Sequence, residues 1–71
     1  MPKIYYDQET GILTIKISNK KSVDSDAQKN IVVDYDKDGN IVNIEIMSVD
    51  LNEFEKKKSF LENFLIAEKV R

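Results

Sequence analysis

The stretch VDYDKDGNIVNIEI (residues 33–46) admits two readings, and the choice between them decides the fold. As a spacing pattern, residues 34–45 match the calcium loop D-x-[DN]-x-[DN]-G-x5-E. Asp34, Asp36 and Asp38 alternate, Gly39 takes the sharp-turn position and Glu45 the bidentate one. As hydrophobic periodicity, the same residues form a hairpin, with β-branched, alternating flanks on either side of an acidic turn. A calcium loop lies between helices and curls until its oxygens stand about 2.3–2.6 Å from one ion. In a hairpin, Glu45 lies four strand steps, roughly 13 Å, from Ile41 at the turn, too far to share an ion with Asp38. Asp, Gly and Asn need no ion in such a turn, because they tolerate positive φ and make local hydrogen bonds. The hairpin reading wins.

The same hairpin occurs twice. IYYDQETGILTIKI (4–17) lies over residues 33–46 at a constant offset of 29, so that Tyr6 matches Tyr35, Asp7 matches Asp36 and Ile15 matches Ile44. Each copy has a four-residue loop, QETG in the first and KDGN in the second. Paired residues must share a face. This sets Tyr6 against Leu13, Ile4 against Ile15, Tyr35 against Val42, Val33 against Ile44 and Ile31 against Ile46. These ten residues and Ile17 make one apolar face. A three-residue second loop without a bulge would set Val33 against Asn43 and mix the faces. The polar link SNKKSVDSDAQKN (18–30) reads as a loop with room for a short strand near Val23, and a meander order is the first expectation.

After the last strand the period changes from two to 3.6. DLNEFEKKKSFLENFLIAEKVR (50–71) places Phe54, Phe60, Leu61, Phe64 and Leu65 on one broad side of a helix. Asp50 with Glu53 forms a capping box, Ser59 with Glu62 a second, and the absence of Gly and Pro favours one unbroken helix. The expected fold is α+β: a single domain, 1–71. A four-stranded antiparallel sheet built from two similar hairpins (3–47) carries one C-terminal helix (50–70) packed on one face.

Composition removes most catalytic chemistry. The 71 residues include no cysteine and no histidine, which excludes disulfides, thiolate metal sites and the commonest general base. The five serines therefore have no activating imidazole, and only two glycines, both in turns, leave no phosphate-binding loop. A net charge of −2 with both signs interspersed gives no nucleic-acid footprint. EKKKS (55–59) follows two acids and reads as a solvated helix face. Tyr5, Tyr6 and Tyr35 lack the basic interleaving of a base-stacking platform. No apolar run approaches a membrane span, and MPKIYYDQ lacks a signal-peptide apolar region, so a cytoplasmic protein is expected. The acids Asp34, Asp36 and Glu45 project from the open sheet face or the turn, without the unequal environments that paired-acid catalysis needs. No catalytic or cofactor-binding residue is assigned, and no cofactor is expected. Asp36, Asp38 and Gly39 are assigned to turn structure. Asp34, Asp36 and Asp38 are the one alternative, a weak metal or small-ligand site.

Three segments, YDQETGILTIKIS, VDSD and IVVDYDKDGNIVNIEIMSVD, resemble domain-of-unknown-function family 2283, a family of small bacterial and archaeal domains. The resemblance covers residues 3 to about 50. Asp34, Tyr35, Asp36, Gly39, Glu45 and Ile46 fit its second-hairpin pattern, whereas Asn43 stands where a Gly is frequent and the C-terminal helix is longer. The resemblance implies the hairpin sheet and no activity. By a weaker analogy it points to partner proteins in two-gene, toxin–antitoxin-like modules.

The functional expectation is a non-catalytic protein-binding or assembly module. It acts as a homodimer or with an unknown protein partner, including an antitoxin-like pairing with a neighbouring gene product. Tyr5, Ile12, Val32, Ile41 and Met47 on the second sheet face, with Ile66 and Val70 on the helix, are the expected interface. Neither nucleic acid nor membrane is expected as a partner.

Overall fold

A computed structural model describes residues 2–70, except for the side chains of Leu61 and residues 64–70. The order of elements is β1 (Lys3–Asp7), β2 (Ile12–Lys16), β3 (Asp24–Gln28), β4 (Ile31–Tyr35), β5 (Ile41–Ile46) and α1 (Leu51–Val70). All strands join one antiparallel sheet in the order β1-β2-β5-β4-β3.

The α+β architecture and both hairpins match the expectation, but the sheet has five strands, not four. The extra strand is β3, DSDAQ, in the link read as a loop with room for a short strand near Val23, and it starts at the next residue, Asp24. Its five residues pair in register with β4, from Asp24 opposite Tyr35 to Gln28 opposite Ile31. Every β3 residue is exposed, so nothing in it alternates and periodicity cannot reveal it. The strand forms because β4 is apolar and its outer backbone groups need partners. Lys29 closes the link to β4 at φ 56, a conformation for which lysine gives no sequence signal. The meander expectation fails as well. The second hairpin joins through β5, its later strand, which lies between β2 and β4.

This arrangement has internal symmetry. Ile15 of β2 stands opposite Ile44 of β5, and each is the other's counterpart under the 29-residue repeat. The hairpins are thus related by a local two-fold axis through that pair, which leaves β1 and β4 as equivalent outer strands. Among the described residues, β3 covers β4 and nothing pairs with the outer side of β1.

The expected apolar face is real and runs in rows across the strands. Ile4, Ile15, Ile44 and Val33 form one row; Tyr6, Leu13, Ile46 and Ile31 form the next. Leu13, Ile15 and Val42 are buried, yet no described side chain is completely so. α1 starts at its expected capping box: Asp50 Oδ1 accepts from the Glu53 amide at 2.7 Å, and Glu53 Oε1 accepts from the Asp50 amide at 3.2 Å. The helix runs through Ser59 without a break. Phe54 stacks on Tyr6, with ring centroids 4.4 Å apart and planes within 9°. Phe60, expected to cover the sheet, is 67% exposed. Leu61, Phe64 and Leu65, and the interface candidates Ile66 and Val70, lie outside the described side chains.

Candidate functional site

The second hairpin turn is knotted by one carboxylate. Asp36 Oδ1 accepts from the amides of Asp38 and Asn40, each at 2.9 Å, while its backbone carbonyl accepts from Gly39 and its amide donates to Asn40. Gly39 adopts φ +81, the positive-φ position expected for it. The loop has three residues, Lys37 to Gly39, closed by Asp36 and Asn40, rather than the expected four. Tyr35 consequently pairs with Ile41, not with Val42. A bulge between Asp34 and Tyr35 then restores the expected register, so Asp34 meets Asn43 and Val33 meets Ile44. The short loop and the bulge cancel, and the two faces stay unmixed.

Asp36 is 5% exposed, and its second oxygen, Oδ2, is buried without a hydrogen-bond partner among the described residues. The Asn40 amide holds the carboxyl below the usual carboxylate range, helped by the Asp38 amide and the charge of Lys20 against the opposing effect of burial. A hollow of about 600 Å³ beside it is lined by Lys20, Lys21, Val23, Asp36, Lys37 and Asp38. Periodicity had no means of bringing Lys20 and Lys21 here, because they lie in the irregular link.

The four acids of the calcium pattern, Asp34, Asp36, Asp38 and Glu45, do not converge. Asp34 faces outward in β4, where its carboxylate accepts from the Ser25 hydroxyl at 2.5 Å and the Asn43 side-chain amide at 3.3 Å. Asp38 is exposed in the turn, and Glu45 pairs with Val32 and Thr14 well along β5. Among the described residues, no group of three or more metal-ligating side chains comes together.

Of the interface candidates, Tyr5, Ile12 and Val32 lie on the second sheet face, and Met47 directly follows β5. Tyr5 and Val32 fall in one cross-strand row with Thr14, Glu45 and Ala27. Tyr5 is 51% exposed; Ile12, Val32 and Met47 are half-buried. Ile41, 42% exposed, sits in the bulge, where the alternation that assigned it to that face stops. The opposite face carries a cleft of about 570 Å³ between sheet and helix, lined in part by Leu13, Ile46, Val49, Phe54 and Phe60.

A clasp unseen in the sequence ties α1 to the first hairpin. The Tyr6 hydroxyl donates to the Val49 carbonyl at 2.6 Å, and the Val49 amide donates to the Gly11 carbonyl at 2.8 Å. Burial raises the Tyr6 phenol above its ordinary value, as do the nearby charges of Asp50, Glu53 and Asp7.

Fold and sites together define a small α+β domain whose sheet is a doubled hairpin with an acid-knotted turn. The chain belongs to the family described as protein of unknown function (DUF2283), whose profile matches residues 3–49, well over half its length. No curated protein and no solved structure matches it. The matched region holds all five strands and ends before α1. Among the described residues, no helix is long and apolar enough to cross a membrane.

Proposed function

We propose that this chain is a non-catalytic assembly module whose work is done by binding protein, in the first instance a second copy of itself. One observation carries the reading: the fold buries too little. No described side chain is completely buried, and Tyr5, Ile31, Ile41, Leu51 and Phe60 are exposed large apolar side chains. Sedimentation equilibrium at tens of micromolar tests the reading, with a dimer mass expected. A pulldown from the native host tests the version in which the partner is a neighbouring gene product, as in an antitoxin-like pair. A monomer mass together with an empty pulldown overturns the proposal.

The competing reading, a small ligand or cation held at the acidic hairpin, rests on the unpartnered Asp36 Oδ2. Asp34 is turned away to Ser25 and Asn43, so a single aspartate with Asp38 gives calcium affinity of millimolar order or weaker. Calorimetry with calcium decides: a micromolar site abolished by Asp36→Asn would favour the ligand reading over assembly.

A further inference from the structure

Resting on the self-association reading, we propose that two copies join edge to edge through β1, antiparallel about a two-fold axis at Tyr5. The internal symmetry sets up the vacancy. β1 and β4 are equivalent strands of the doubled hairpin, and β4 has an outer partner in β3 while β1 has none among the described residues. An uncovered sheet edge is a template for another strand.

The backbone of β1 is poised for this pairing. The Asp7 carbonyl is turned inward, accepting from the Gly11 amide at 2.8 Å. Backbone groups alternate in direction along a strand, so Lys3, Tyr5 and Asp7 bond toward β2 while Ile4 and Tyr6 direct their N–H and C=O outward. In a two-fold pair centred on Tyr5, Ile4 of each copy meets Tyr6 of the other and exchanges both bonds. Tyr5 meets Tyr5 as a non-hydrogen-bonded pair, the type that brings side chains closest.

The side chains select this pairing. The strand reads KIYYD, with Lys3 and Asp7 equally spaced about Tyr5. Two-fold pairing therefore sets Lys3 of each copy against Asp7 of the other. Within one chain Lys3 faces Lys16, an unfavourable like-charge pair that the incoming Asp7 relieves. Lys3, Tyr5 and Asp7 are all exposed. The other edge is guarded: β3 centred on itself would set one exposed Asp26 directly against the other. Pairing β1 to β3 of the next copy would be head-to-tail and propagate into a filament, whereas β1 to β1 closes at two. The result is one continuous ten-stranded sheet whose two apolar faces are joined.

Because the chain contains no cysteine, a single introduced thiol reports the contact cleanly. Tyr5→Cys places two thiols across the axis at a Cα separation of about 4.5 Å, within disulfide range. Rapid oxidation to a covalent dimer at low micromolar concentration is expected, and Ala27→Cys on β3 should remain largely uncrosslinked. Lys3→Asp and Asp7→Lys should each weaken dimerisation about tenfold or more, while the double exchange returns it to within about threefold of wild type. Circular-dichroism melts show that each variant is folded. A wild-type dimer that ignores the charge exchange and does not crosslink through Tyr5→Cys sinks the β1 pairing and leaves self-association standing. A wild-type monomer sinks both.

Discussion

Two glycines show how differently one residue type can be required. Gly11 and Gly39 both have positive φ, at 72° and 81°. A Cβ on Gly11 would also stand 3.2 Å from the Val49 carbonyl oxygen, whereas one on Gly39 would meet nothing within 4 Å among the described residues. Gly39→Asn should therefore be nearly neutral, because Asn accepts the left-handed region, while Gly39→Val costs about 1–2 kcal/mol. Gly11→Asn should cost more than Gly39→Asn, because it adds crowding at the clasp; equal melting temperatures for the two Asn variants would contradict this. Asp36 and Tyr6 set the pH limits. Asp36 is held below its ordinary value by the Asn40 and Asp38 amides and Lys20, so its stabilisation is complete above the unfolded carboxylate value of about 4. It is lost as pH falls from there through the folded pKa. Tyr6 is shifted upward, so its contribution is complete below about pH 10 and fades as pH rises through the folded value. Asp36→Asn should flatten the acid limb of a pH–melting profile and Tyr6→Phe the alkaline limb. An unchanged acid limb in Asp36→Asn would mean that the turn does not prefer the ionised carboxylate.

Among the elements, legibility followed burial. β1, β2, β4 and β5 each place apolar residues on one face, and the registers of Ile4 with Ile15 and Val33 with Ile44 were readable from alternation alone. The helix start was readable because Asp50 and Glu53 satisfy each other's amides, and Asp50→Ala should lower stability by about 1 kcal/mol. β3 was legible only as room for a short strand near Val23, because its residues are exposed throughout and carry no alternation. The β5 bulge was unreadable for another reason: the shorter loop and the extra strand residue offset one another, and their sum equals the simpler four-residue loop. At the candidate site, the turn roles of Asp36 and Gly39 were legible from residue type. The hollow beside Lys20 and Lys21 depended on the path of an irregular link that no local rule specifies. The same contrast predicts dynamics. The slowest amide exchange should fall in β2 and β5, which contribute the buried Leu13, Ile15 and Val42. β3, exposed throughout, should exchange with free energies well below the global value. Equal protection in β3 and β2 would mean that the fifth strand is covered in solution.

At the scale of the whole molecule, the dimensions of 35 × 31 × 17 Å describe a slab rather than a sphere. A chain of 71 residues has little core to spend, and this one completely buries none of its described side chains. Its stability should therefore belong partly to the assembly. If the dimer is the stable species, unfolding is coupled to dissociation and the melting temperature depends on concentration by mass action. Each tenfold dilution removes about 1.4 kcal/mol per dimer, or half that per chain. For a domain of this length that corresponds to a fall of about 3–5 °C per decade of concentration. Melts at 1, 10 and 100 μM, roughly spanning any dissociation constant in the micromolar range, measure this directly. A parallel, downward-shifted series is expected for the wild-type chain, and Lys3→Asp should lie on a lower curve that flattens as its dimer disappears. A melting temperature independent of concentration across that range, with a monomer mass at its upper end, would show that the thin core suffices alone.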